Sequence, residues 1–270
     1  MDIYIDTING KKIAVYEWRP EGDIKSIVYY FHGTQSYSLW FNDIANLMIK
    51  DGIHVISIDR TGCGHSSGTR EDIPDKDEAI MDYVALIKRT CQPGIPINFI
   101  GQSFGGGICL AVYFSKLLEI EINRIVIVTS YLGKLHTFDN DLRNYDKDNT
   151  KIKLNFKTKD FTNNEKYANF IDNDPLKWSS ITLNSIYQSY LIESSYLDVN
   201  IDHHKLNKAL YIHPELDPLV DLNHAKKIFN KIFKNKGETK SVALEQHFIW
   251  FSNEINDITK YIIEWLRDDK

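Results

Sequence analysis

The sequence predicts an α/β fold in which a mostly parallel sheet carries helices on both faces. Three observations predict it. Short, β-branched, apolar runs recur along the chain, helix-length amphipathic stretches separate them, and the composition is that of an ordinary globular chain, 43% hydrophobic and 26% charged. A continuous apolar run marks a strand covered on both sides, which requires layers above and below it.

Taken in order, Ile3–Ile8 and Lys12–Trp18 alternate apolar and polar residues around Asn9-Gly10, a dipeptide suited to the positive φ angles of a tight hairpin. Ser26–Phe31, His54–Ile58, Ile97–Ile100 and Arg124–Thr129 are almost wholly apolar and read as doubly covered strands. Ala209–Ile212 and Ser241–Leu244 read as two further strands of the same kind. Leu39–Lys50 is helical by the spacing of Phe41, Ile44, Ala45, Leu47 and Met48, and Asp77–Thr90 places Ile80, Val84, Leu86 and Ile87 on one side. Ile228, Ile232 and Phe233 mark one late helix, and Ile258, Ile262, Ile263 and Leu266 another. A hairpin followed by β-α alternation gives a mixed sheet of about eight strands with a parallel core.

One segment breaks this rhythm. Between Thr129 and Ala209 lie roughly 75 residues, and a structureless loop of that length is uncommon inside a compact domain. Leu135 to Asn169 is polar and rich in Asp, Asn and Lys, whereas Ser180 to Ser195 sets Leu183, Ile186, Tyr187, Tyr190 and Leu191 at helical spacing. We therefore expect a partly helical cap over residues 134–206, inserted into a core formed by 1–133 and 207–270. Tyr187 and Tyr190 are candidate substrate-binding residues, with packing of the cap against the core as the alternative. Lys151, Lys153, Lys157 and Lys159 read as a solvated face, with attraction of a phosphate headgroup, a phosphopantetheine arm or an anionic surface as the alternative.

Composition excludes several function classes. The 270 residues fit one large domain or two small ones. A net charge of −5 gives no concentrated basic face, so no nucleic acid is expected as a partner. The mean hydropathy of −0.34 and the lack of a long apolar run predict no membrane span. Met1 to Asp6 shows neither a basic nor an apolar region of a signal peptide. Cys63, Cys91 and Cys109 have no metal-ligand or disulfide spacing, so neither a zinc site nor a disulfide framework is expected, and the reading is of a reduced, cytoplasmic protein.

The strongest chemical signal is Gly101-Gln102-Ser103-Phe104-Gly105, directly after Ile97–Ile100 and before an apolar helix. In G-x-S-x-G at a strand-to-helix turn, small neighbours let strand and helix approach, and the serine hydroxyl projects above the sheet. The helix N-terminus then favours negative charge developing there. Phe31-His32-Gly33-Thr34-Gln35 ends the third strand. The loop at this place in a serine hydrolase donates one backbone N–H to the oxyanion, and the residue after the nucleophile donates the other. The expected donors are the backbones of Thr34 and Phe104. His32 reads as a structural histidine.

Asp59-Arg60-Thr61-Gly62-Cys63-Gly64-His65-Ser66 follows the fourth strand. With HGxx after the third strand and GxSxGG after the fifth, this order resembles the α/β-hydrolase fold. The branch it is most similar to is the monoacylglycerol lipase, lysophospholipase and serine aminopeptidase group. Asp174-Pro175-Leu176 in the cap is also similar to that group. The resemblance implies a Ser-acid-His order along the chain. His213-Pro214-Glu215-Leu216-Asp217-Pro218-Leu219-Val220 resembles the segment that supplies the acid, with Pro214 standing where the family has glycine. This implies Asp217, with Glu215 as the alternative and helix capping as the non-catalytic reading of Asp217. The base follows the last strand at His247, with His213 and His224 as alternatives and with His136 and His203-His204 read as solvated cap residues.

The implied chemistry is acyl transfer to water from an ester or thioester of a small or medium acyl substrate, for which no metal and no organic cofactor is needed. Peptide or amide hydrolysis is one alternative. Another is transfer to a different acceptor, including editing or release thioesterase work with an acyl or peptidyl carrier protein. The third is a binding module that has kept the fold.

Overall fold

Asn9 and Gly10 take φ values of 48° and 78°, which reverses the chain between β1 (Asp2–Ile8) and β2 (Lys11–Trp18) and sets Asp2 opposite Glu17. The computed structural model describes residues 1–133, 141–197, 199, 201 and 205–267. From the hairpin onward the sheet is built of β3 (Ser26–Phe31), β4 (Ile53–Ile58), β5 (Ile97–Gln102), β6 (Arg124–Val128), β9 (Lys208–Pro214) and β10 (Gly237–Val242). Its order is β1-β2-β4-β3-β5-β6-β9-β10, antiparallel at β1-β2-β4 and parallel in every pair beyond.

The period of two along each strand divides the core into two layers. Ile27, Tyr29 and Phe31 of β3 join one cluster with α2 (Lys76–Thr90), α3 (Phe104–Phe114) and α7 (Leu222–Phe233). Val28 and Tyr30 join the other, with α1 (Asn42–Met48) and α8 (Ile255–Arg267). Each such buried side chain stabilises the fold by about 1.5–3 kcal/mol relative to exposure. The expected Leu39–Lys50 helix is α1 extended by 3₁₀ turns at Ser38–Phe41 and Ile49–Asp51. Asp75 accepts hydrogen bonds from Asp77 and Glu78 N–H and so starts α2.

The last strand lies earlier than expected. β10 covers Gly237–Val242 rather than Ser241–Leu244, and its middle residues are exposed. It is an edge strand with one neighbour, β9, so no apolar run marks it.

Between β6 and β9 a short ribbon pairs β7 (Lys151–Lys153) with β8 (Ser180–Thr182), and α4 (Thr158–Phe161), α5 (Glu165–Asn173) and α6 (Leu183–Ser194) complete the described part. The ribbon was not expected, because Lys-Ile-Lys is too short and too exposed to carry a strand signal. The α6 helix is present, but of the apolar residues expected on its face only Ile186 is buried, with Ile192 beyond them, while Leu183, Tyr187, Tyr190 and Leu191 are half-buried. Its buried residues include Asn184, Ser185 and Gln188. Asn184 Nδ2 donates to Ile73 O (2.8 Å), while Ser185 Oγ and Gln188 Oε1 accept from Ile73 and Lys76 N–H (2.7 and 2.8 Å). The helix is thus fastened by polar bonds to the loop before α2. His136, His203 and His204 lie outside the described residues, as does the expected boundary at 134. Among the described residues no helix is long and apolar enough to cross a membrane.

Candidate active site

Ser103 stands alone between β5 and α3, with φ 52° and ψ −126°. A residue with a side chain held there stores about 1–3 kcal/mol of strain, so its surroundings must over-determine it. They do so through three contacts. Ser103 N–H donates to Val128 O (2.9 Å), Ser130 Oγ donates to Ser103 O (2.5 Å), and Gly106 N–H donates to the same carbonyl (2.9 Å). The flanking glycines are steric requirements. A Cβ on Gly105 would come within 2.0 Å of the Phe31 carbonyl oxygen, and one on Gly101 within 2.6 Å of Gly106 Cα.

The loops after β9 and β10 bring the other expected residues to this turn. His247 Nε2 lies 2.9 Å from Ser103 Oγ, and its Nδ1 lies 2.8 and 3.1 Å from the two carboxylate oxygens of Asp217. A carboxylate only accepts, so Nδ1 carries the hydrogen and the Nε2 lone pair faces the serine hydroxyl. That arrangement can take a proton from Ser103. The Asp217 side chain is fully buried and is also held by Leu219 and Val220 N–H (2.8 and 3.1 Å). Helix capping does not explain this residue, because the N-cap of α7 is Asp221, which accepts from Asn223 and His224 N–H. His247 is positioned by its own N–H, which donates to Asp160 O (2.8 Å), and by the edge-on ring of Phe161.

The alternatives are placed elsewhere. Glu215 is exposed. His213 bonds the Pro214 carbonyl (2.6 Å), and His224 stacks on Tyr131. His32 is buried, and desolvation together with the Arg60 charge pushes its pKa well down, so it is neutral. Burial pushes the Cys63 thiol up to about 11, which keeps it protonated and unreactive.

A pocket of about 30 Å³ opens beside Ser103 and His247. Thr34, Gln35 and Ser36 form its polar side, and Trp40, Phe156, Phe161 and Phe248 its aromatic walls. Thr34 therefore reaches the site. Phe104 opens α3, where the first N–H groups of a helix have no intrahelical partner, and its ring packs away toward Cys63, Ile73 and Trp178. Tyr187 and Tyr190, expected at the substrate, sit on α6, which packs against α2 and α3, and neither is among the pocket's lining residues. The aromatic residues found there carry little signal in the sequence. Trp40 lies in a helix-like stretch, Phe156 and Phe161 in the polar tract, and only Phe248, adjacent to His247, carried a positional signal.

A mostly parallel eight-stranded sheet with a serine on the turn after its β5 strand, an aspartate after β9 and a histidine after β10 is the architecture of an α/β-hydrolase. The chain belongs to the serine aminopeptidase S33 family, whose model matches residues 22–254. It is 29% identical over 106 residues to a monoacylglycerol lipase of Mycolicibacterium smegmatis, covering 38% of each chain. It is 32% identical over 118 residues to a caffeoylshikimate esterase of Arabidopsis thaliana, covering 42% of this chain and 36% of that one. The matched stretches thus span little more than a third of these relatives. A soluble variant of the Saccharomyces cerevisiae monoglyceride lipase, solved with a substrate analogue, superposes with a TM-score of 0.84 at 19% identity, over 98% of this chain and 94% of that one.

Proposed function

We propose that the protein is a serine hydrolase that cleaves carboxylic ester or thioester bonds of small or medium acyl groups. The observation that carries this reading is the unbroken chain of contacts from Ser103 Oγ through His247 to Asp217, at 2.9 and 2.8 Å, beside an aromatic-walled pocket. The named relatives, lipases and an esterase, support the ester class.

In this mechanism Ser103 Oγ attacks the acyl carbon while its proton passes to His247 Nε2. The carbonyl oxygen becomes an oxyanion held by the N–H groups of Thr34 and Phe104. The C–O or C–S bond then breaks, and the leaving group takes the proton from His247. Water attacks the acyl-enzyme, gives its proton to His247, and frees the acid and the serine. Asp217 holds the imidazole tautomer and stabilises the imidazolium. Residues 134–206 act as a cap that selects substrate, since Phe156 and Phe161 reach the pocket from within it.

A panel of p-nitrophenyl esters, acyl-CoAs and aminoacyl anilides tests the reading, with fluorophosphonate labelling mapped by mass spectrometry. Turnover of esters or acyl-CoAs with the adduct on Ser103 is expected. An adduct elsewhere, or a preference for aminoacyl anilides over every ester and thioester, overturns it.

A further inference from the structure

Arg60 is a buried cation, 4% exposed, that the steps above do not use. Its two terminal nitrogens are turned on three consecutive backbone carbonyls. Nη1 donates to His32 O (2.6 Å), and Nη2 donates to Gly33 O (2.9 Å) and Thr34 O (3.3 Å). Its guanidinium carbon lies 5.3 Å from the centroid of the Phe104 ring. One side chain therefore touches both residues to which the proposed mechanism gives the oxyanion donors.

The Gly33 carbonyl is the informative partner. It shares a planar peptide unit with the Thr34 N–H, so fixing the direction of the oxygen fixes the N–H on the opposite side. His32 Nδ1 lies 3.0 Å from the same oxygen and 2.8 Å from Arg60 Nη1. Its Nε2 accepts from Arg60 N–H (3.0 Å), so the imidazole is held against both the backbone and the side chain of Arg60. Hydrogen bonds donated to a peptide carbonyl also polarise the unit and strengthen its N–H as a donor. A guanidinium presents several N–H groups in a rigid fork, which a lysine ammonium cannot reproduce. Taking a guanidinium out of water is costly, and here it is met by neutral carbonyls at the rear of the oxyanion loop.

We propose that Arg60 is a positioning residue of the oxyanion hole, orienting and polarising the Gly33–Thr34 peptide while its guanidinium packs on the Phe104 ring. The inference rests on the serine-hydrolase reading. Oxyanion donors act on the transition state and hardly on the bound ester, so their misplacement lowers kcat and leaves KM nearly unchanged.

The test compares wild type, Arg60→Lys and Arg60→Met on p-nitrophenyl butyrate, with active sites counted by fluorophosphonate titration. In parallel, affinity is measured for an alkyl trifluoromethyl ketone. Ser103 Oγ adds to its carbonyl carbon, the proton moves to His247, and the carbonyl oxygen becomes an oxyanion. Loss of one oxyanion donor costs about 10²- to 10³-fold in kcat, so Arg60→Met is expected to lose about 10²-fold per titrated site, and ketone affinity by the same factor. KM stays within about threefold of wild type, and Arg60→Lys recovers part of both losses. A kcat that falls with ketone affinity unchanged overturns the proposal, because the loss then lies outside the oxyanion. Should Arg60→Met fail to fold, Arg60→Lys decides alone, and wild-type kcat and ketone affinity in that variant overturn the need for the fork. A wild type that the ketone does not inhibit, with Ser103→Ala still turning over ester, fails the serine reading itself.

Discussion

Trp40 donates its indole N–H to the Asp174 carboxylate across 2.7 Å, joining the loop after β3 to the segment between β6 and β9. Asp174 also accepts from Leu176 N–H (2.9 Å) and, more weakly, from the Tyr37 hydroxyl (3.4 Å). Trp40 forms a wall of the pocket beside Ser103 and also of a neighbouring cavity of about 230 Å³ lined by Tyr167, Phe170 and Phe251. The buried carboxylate thus fixes the indole that separates the two spaces.

Asp174→Ala leaves that buried indole N–H without its acceptor, a loss of about 1–3 kcal/mol in stability. The indole is then held only by its packing against Phe161, Phe170, Phe248 and Phe251, so the wall it gives the acyl group loosens while Ser103 and His247 keep their contacts. Steady-state kinetics on short p-nitrophenyl esters should show KM rising more than kcat falls. A variant with unchanged KM and a large loss of kcat would show that Asp174 acts on the serine turn instead.

Ser103→Gly separates stability from activity. Glycine accepts φ 52° and ψ −126° without the Cβ strain, so the variant should be more stable by about 1 kcal/mol after the entropy of the added glycine is subtracted. It has no nucleophile and should show neither turnover nor fluorophosphonate labelling. Thermal melts of the two proteins check the first part, and a lower Tm in the glycine variant contradicts a strained turn.

How legible each part was follows from where its information lies. Strands β3 to β6 feed both core layers, so nearly every residue in them is apolar and the runs are visible. β10 meets a neighbour on one side only, and its Glu-Thr-Lys-Ser centre has no apolar period to read. Ser103, Asp217 and His247 were readable because each follows a strand in a turn whose local chemistry is distinctive. The pocket walls were not, since Trp40, Phe156, Phe161 and Phe248 converge only through tertiary packing. The α6 helix shows the opposite error. Its spacing is apolar enough to suggest a greasy face, yet it buries Asn184, Ser185 and Gln188 alongside Ile186 and Ile192.

Asp217 and Asp221 are four residues apart and do different work. Asp217→Asn presents an amide to His247 Nδ1 and favours the wrong tautomer, which should lower kcat by about 10³- to 10⁴-fold. Asp221→Asn keeps an acceptable cap and should leave kcat unchanged, whereas Asp221→Ala should cost about 1 kcal/mol of stability. Glu215→Gln, at an exposed side chain, should be mild. Reversed effects at 217 and 215 would reassign the acid.

Glu71 links the β7–β8 ribbon to the loop before α2, and acid should loosen that link. Its carboxylate takes hydrogen bonds from Ser179 N–H (2.7 Å), Ser180 N–H (3.0 Å), both serine hydroxyls and Lys151 Nζ (2.8 Å). Burial alone raises its pKa, but the bonds from Lys151, Ser180 and Ser179 outweigh that and hold it at about 2. The folded pKa is depressed, so the stabilisation is complete above the ordinary value of 4.5 and is lost as pH falls from there toward 2. Glu71→Gln should therefore melt about 2–4 °C below wild type near pH 7. The gap should close on acidification, and a gap that is constant down to pH 3 rules out the carboxylate as its source.

Acyl-chain length preference should be set by the aromatic walls and not by α6. Each methylene buried against them is worth about 0.8 kcal/mol, or roughly fourfold in kcat/KM, until the space is filled. With about 30 Å³ between Trp40, Phe156, Phe161 and Phe248, the rise should stop among the shortest acyl groups. Phe161 also lies edge-on to His247, with ring centroids 5.8 Å apart, so its truncation enlarges the pocket but loosens the base. Phe156, 39% exposed and without that contact, gives the cleaner test. Phe156→Ala should move the optimum toward longer chains with little change on the acetyl ester. Tyr187→Ala and Tyr190→Ala should leave the profile in place, because neither ring lines this pocket. The measurement is kcat/KM for p-nitrophenyl esters from acetyl to dodecanoyl in all four proteins. A profile that shifts with the tyrosines and not with Phe156 would mean that the acyl chain runs under α6.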